Sequence, residues 1–168
     1  YLNLNGWFKK QGVSANFDVS FGAELTVKSY VEHIKRNNPK TVIAQPCPSL
    51  VSYIELFKPE LLEYLAPADS PMLHTIKMIK EFYPQYKDHR VAVISPCVAK
   101  KREFEATGYG DYNITMTNLK EYMKKGFAMN DDLLKNNGGE FILMNYWSAS
   151  VTSVHQKKYS GEKCLISM

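Results

Sequence analysis

The run RVAVIS at residues 90–95 limits the fold of this chain more than any other feature. Val91 to Ile94 are apolar without interruption, and the run closes on Ser95-Pro96-Cys97. A strand that is apolar at consecutive positions has to be covered on both faces, which marks the centre of a parallel sheet flanked by helices. The neighbouring sequence supplies both partners. ANFDVSF (15–21) alternates like a strand, and Gly22 then opens a helix through ELTVKSYVEHIK, with Leu25, Val27, Tyr30, Val31 and Ile34 mostly on one face. KTVIAQ (40–45) reads as a second strand, followed after Pro46-Cys47-Pro48 by helical SLVSYIELF and PELLEYL. Ser70-Pro71 is a helix start, serine as cap and proline in the first turn, and that helix runs to near Pro84.

After RVAVIS, YNITMT (112–117) is another strand, and Thr117 or Asn118 can cap the helix LKEYMKK, which Gly126 would end. Further on, DDLLKNN suits a short helix and EFILMNY a strand, whereas residues 148–168 show no clear period. Strand and helix in alternation predict an α/β fold with a mainly parallel sheet flanked by helices. A chain of 168 residues suits one domain over 1–168, burying roughly 70% of its unfolded surface.

The bulk chemistry excludes several function classes. A net charge of +4, with cations scattered among acids, gives no concentrated basic face for nucleic acid. No apolar stretch approaches the ~20 residues of a membrane helix. The first residues, YLNLNGWFKKQG, lack the layout of a secretory signal, and a start at Tyr1 suggests a piece of a longer chain. Three cysteines, Cys47, Cys97 and Cys164, fit reduced thiols and a cytoplasmic setting. GGEF at 138–141 matches a cyclic-dinucleotide synthase signature in four letters only, without the supporting residues of that family.

Two of the cysteines share a context. Cys47 and Cys97 each follow an apolar run and a proline, and each precedes a helical segment. Ligands gather at the carboxyl ends of parallel strands, so two crossovers would bring both thiols to one sheet edge. The adjacent prolines stiffen each corner, and the following helix N-termini favour negative charge there. Lys100 adds a cation one turn beyond Cys97. Two thiols are half a metal site, because zinc or a cubane cluster takes four protein ligands. His33, His74, His89 and His155 show no ligand-like spacing.

Taken together, four segments resemble the iron-only (FeFe) hydrogenases. ISPCVAKKREFE is similar to the family's signature M-P-C-x-x-K-x-x-E, and IAQPCPSL to its signature T-S-C-C-P-x-W. FDVSFGAELT resembles its FD-x-x-FGADLT segment, and Ser70-Pro71-Met72 its serine-proline corner. Order and spacing agree, and the likeness is clearest over residues 13–125. The resemblance implies the domain that carries the hydrogen-activating H-cluster. Cys47 and Cys97 would be thiolate ligands of its 4Fe-4S part, and Lys100 would contact a cyanide of its diiron part. Glu103 and Ser70 would belong to a proton relay.

The departures shape the functional expectation. Pro46 stands where the family has the proton-shuttling thiol, and Tyr30 and His33 stand at relay glutamates. Ser95 replaces a methionine and Leu50 a tryptophan; the third signature, E-x-M-x-C-x-x-G-C, is absent, and Cys164 has none of its context. The resemblance is therefore to a divergent, sensory hydrogenase: an iron-sulfur domain that senses hydrogen or redox state with slow turnover. Ferredoxin-like and signalling modules would be its partners in the same chain, with H2 as its small ligand. The residues alone would hold no complete cluster. An iron-sulfur scaffold protein related to hydrogenases, or a cluster-free α/β interaction domain, are the alternatives.

Overall fold

The structure of the protein, a computed structural model, describes residues 2–124 and 141–145. These fall into two compact units, one built from 2–18, 76–124 and 141–145, the other from 19–75. The fold is α/β, as the alternation of elements predicts.

The first unit contains the sheet. Strands β1 (Ala15–Asp18), β2 (Arg90–Ser95), β3 (Tyr112–Thr115) and β4 (Phe141–Asn145) lie in the order β1-β4-β2-β3. All three pairings are parallel, with Ala92 beside Tyr112 on one side of β2 and beside Leu143 on the other. RVAVIS is thus an inner strand, and Val91 to Ser95 are all buried. Alternate side chains point to opposite faces. Ala92 and Ile94 join Phe8 and Val13 and, from helix α6 (Met116–Lys124), Leu119 in one core cluster. Phe8 comes from helix α1 (Leu2–Lys10), and Trp7, Tyr112 and Ile114 pack around the cluster. Val91 and Val93 face the other way and are also covered, which explains why the strand shows no polar alternation. Asp111 fixes the start of β3: its carboxylate accepts the Val91 N–H at 2.7 Å, and its own N–H donates to the Val91 carbonyl at 2.9 Å.

The strand expected in EFILMNY is β4. Helix α6 begins at Met116, and Thr115 caps it by accepting the Asn118 N–H at 3.2 Å. The cap sits ahead of the expected Thr117 or Asn118 because strand and helix meet without a loop, leaving the last strand residue extended, as a cap requires. Gly126, DDLLKNN and residues 148–168 lie outside the described residues.

In the second unit, helix α2 (Ser20–Asn37) starts ahead of Gly22 and ends on Asn38 in the left-handed conformation. Its buried stripe is Gly22, Thr26 and Tyr30; of the expected face only Tyr30 is fully buried, while Leu25, Val27, Val31 and Ile34 are half-buried. Close approach is the reason. A Cβ on Gly22 would fall 1.9 Å from the Pro71 carbonyl oxygen and 2.1 Å from the Thr75 hydroxyl, so only glycine fits. Thr26 reinforces the contact, its hydroxyl lying 3.2 Å from the Asp69 carbonyl oxygen. Helix α3 spans Pro48–Phe57, and a short 3-10 helix spans Pro59–Tyr64. Helix α4 (Pro71–Phe82) starts where serine and proline predict, with the Ser70 hydroxyl accepting the Leu73 N–H at 3.3 Å.

KTVIAQ departs from expectation. It forms no strand of the sheet and makes a single parallel bridge, Ile43 with Leu65. Pro39, Pro46 and Pro48 bracket it, and proline cannot donate to a ladder, so the pairing has no room to lengthen. Among the described residues no helix is long and apolar enough to cross a membrane.

Candidate functional site

Cys97 sits where β2 ends and helix α5 (Lys100–Thr107) is about to begin. The sheet delivers the chain to this corner and Pro96 turns it. The thiol is partly exposed and forms no disulfide. Its sulfur accepts the Ala99 N–H at 3.4 Å, a weak contact that leaves lone pairs for another partner. Asn113, on the neighbouring strand β3, donates from its amide to the Cys97 carbonyl at 2.9 Å.

One turn on, Lys100 and Glu103 face each other within α5. The ammonium lies 3.0 Å from Glu103 Oε2, and the side chains are only 8% and 11% exposed. A lysine this buried is normally held by an opposite charge, because desolvating it alone is expensive. A charge-assisted bond of this length is among the stronger polar contacts. The next pair along the helix, Lys101 with Glu105, is well exposed at 3.9 Å and serves as a contrast. Of the three cations 100–102, Lys100 alone is buried; Lys101 and Arg102 form the solvated helix face such a run usually makes.

In the second unit, Cys47 is the N-cap residue of α3, with Pro48 in the first turn. Its thiol is exposed and makes no capping bond, while its carbonyl accepts the N–H groups of Leu50 and Val51 at 3.0 and 3.3 Å. The approach to the corner is fixed by side chains. Buried Tyr30 accepts the Gln45 N–H on its hydroxyl at 3.2 Å, and the Gln45 amide donates to the carbonyls of Ala66 and Ala68 at 2.7 and 3.1 Å. Tyr30, which stands at a relay position by resemblance, therefore positions the residue before Pro46-Cys47.

Ser70 is buried and engaged as the α4 cap. His33 bonds Asn37 within its own helix at 3.1 Å, His74 lies 3.5 Å from the Ser29 hydroxyl, and His89 packs edge-on against Tyr86. His155 and Cys164 lie outside the described residues.

The structure thus groups Cys97, Lys100 and Glu103 in the first unit, and places Cys47, Tyr30 and Ser70 in the second. Both thiols suit ligation, being accessible, uncrosslinked and set on corners stiffened by proline. They do not complete a site. Among the described residues no group of three or more His, Cys, Asp or Glu could hold a metal ion. Sequence reasoning missed Asn113 and Gln45, because their use depends on which strands and loops lie side by side. A polar residue inside a short strand such as YNIT was the available signal.

The chain is similar to known proteins. The family model described as "Iron only hydrogenase large subunit, C-terminal domain" matches residues 3–141. Iron hydrogenase 1 of Clostridium pasteurianum is 29% identical over 123 residues, covering 65% of this chain. The match spans only 21% of that relative's length. Because the family match runs over most of the chain and takes in both Pro-Cys corners, Lys100 and Glu103, the chain belongs to the family of C-terminal domains found in the large subunits of iron-only hydrogenases.

Proposed function

We propose that this chain is the part of a hydrogen- or redox-sensing iron-sulfur protein that supplies two cluster ligands, Cys47 and Cys97, and that it turns hydrogen over slowly. The observation that carries this reading is the contrast between what is kept and what is replaced. The thiols of Cys47 and Cys97 and the buried pair Lys100–Glu103 are kept. Pro46 occupies the place of the family's proton-shuttling thiol and has no ionisable group.

When bound, a cluster of the family's kind supplies hydrogen activation and electron transfer. The chain's own residues do the rest. Cys47 and Cys97 would be two thiolate ligands of a 4Fe-4S unit, which needs further ligands beyond these two. Lys100, one turn beyond Cys97 in the chain, would offset negative charge on the bound group, and Glu103 holds its ammonium at 3.0 Å. Ser70 stays available for proton transfer only as far as its capping role allows. Replacing a positioned acid-base group typically slows a reaction by ~100- to 10,000-fold. Binding suffers less, because no ligand is lost at Pro46. The expected setting is the cytoplasm, with ferredoxin-like and signalling modules in the same polypeptide.

The test is hydrogen oxidation by the matured whole protein beside its Pro46→Cys variant. Slow turnover that rises in the variant supports the reading. Fast turnover by the unmodified protein overturns it, and cluster transfer to an acceptor without any response to hydrogen favours a scaffold role instead.

A further inference from the structure

Ser95 is 1% exposed at the end of β2, and its hydroxyl has three polar neighbours. Asn113 Oδ1 lies at 2.7 Å, the Cys97 carbonyl at 2.8 Å and the Cys97 N–H nitrogen at 3.3 Å. A hydroxyl carries one proton, so it cannot donate to both oxygens. The Asn113 amide nitrogen already donates to the Cys97 carbonyl at 2.9 Å, with Val98 O at 3.4 Å as a second acceptor. The proton counts close in one arrangement. The Cys97 N–H donates to Ser95 Oγ, the Ser95 O–H donates to Asn113 Oδ1, and Asn113 Nδ2 donates to the Cys97 carbonyl. Two side chains on adjacent strands thus close a hydrogen-bonded ring around both backbone groups of one cysteine.

We infer that Ser95 and Asn113 are positioning residues for Cys97, fixing the Pro96-Cys97 turn so that its sulfur is presented for a metal bond. The inference rests on the reading of Cys97 as a cluster ligand. The parallel register makes the ring possible: Val93 pairs with Asn113 and Ser95 with Thr115, which puts Ser95 and Asn113 on the same face of the sheet. It also gives Ser95 a purpose. The methionine found there in the family has no O–H and could not join the ring. Partners that orient metal ligands matter to affinity nearly as much as the ligands, and losing one typically costs ~10- to 100-fold.

The experiment uses the whole protein and the variants Ser95→Ala, Asn113→Ala and Ser95→Thr. Iodoacetamide labelling of the metal-free form at one fixed pH is followed peptide by peptide, with Cys47 as internal reference. Iron retained against a chelator is measured after reconstitution. Both alanine variants should change the Cys97 labelling rate several-fold while leaving Cys47 unchanged, and should speed iron loss ~10- to 100-fold. Ser95→Thr, which keeps the hydroxyl, should restore both. Equal changes at both cysteines would mean general loosening and overturn the inference, as would no change at Cys97. A Cys97-specific response in a protein that takes up no iron leaves the positioning role standing and removes the cluster reading. Should Ser95→Ala fail to fold, Asn113→Ala and Ser95→Thr decide by the same measures.

Discussion

The Lys100 ammonium and the Glu103 carboxylate meet at 3.0 Å on one turn of α5, both almost out of water. Breaking such a pair leaves a charge poorly compensated in a low-dielectric setting. Double-mutant coupling between Lys100→Met and Glu103→Gln should therefore fall in the upper part of the ~0.5–3 kcal/mol range for contacting residues, read by urea unfolding. The exposed Lys101–Glu105 pair should couple by no more than ~0.5 kcal/mol in the same assay. Equal couplings would show that burial gives the first pair no advantage.

Gly22→Ala sets two effects against each other. Alanine in a helix interior normally gains ~1 kcal/mol over glycine. Here the new methyl would meet a backbone oxygen at 1.9 Å, and α2 and α4 must separate to admit it. Overpacking of this kind costs ~1–3 kcal/mol or more. We expect a net loss of stability, read as a lower thermal midpoint; a raised midpoint would mean the helices part easily.

Cys47→Ser and Cys97→Ser remove thiolates that the proposed function treats as ligands. Each should lower iron retention in the whole protein by more than the ~10- to 100-fold expected from losing a supporting partner. Iron content after reconstitution checks this. Full retention in either variant would exclude that cysteine from the site.

Tyr30→Phe deletes one hydroxyl and keeps the ring. It withdraws the acceptor of the Gln45 N–H, at a stability cost of about 1 kcal/mol. Amide exchange at Gln45 should accelerate while β2 amides stay protected. Unchanged exchange at Gln45 would show that another acceptor takes over.

How legible all this was in the sequence depended on range. RVAVIS announced an inner strand because its apolar residues are consecutive, and Ser70-Pro71 announced a helix because capping is a local matter. The Pro96-Cys97 corner lies at the end of a sheet strand, as expected, whereas Cys47 follows no strand of the sheet. KTVIAQ misled, since its composition suits a strand while its flanking prolines withhold the ladder. The stripe on α2 misled for the opposite reason. Size made Leu25 and Ile34 look like the core face, yet a close crossing of two helices selects glycine and threonine. Asn113 became meaningful only with strand register, which no single segment reveals.

The two cysteine corners differ in how their backbone is anchored. Cys97 follows a strand paired on both sides, so its approach frees itself only when much of the sheet opens. The stretch before Cys47 depends on one bridge and a handful of side-chain bonds, which can yield singly. Local opening of that kind has a lower free energy than global unfolding. Of the two thiols, then, one has its place built in by the sheet, and the other is held by a few bonds that can open one at a time. Under the proposed function, the entropy of such opening would be subtracted from the affinity, so stiffening the segment 43–47 is a route to tighter metal binding that adds no contact to the metal.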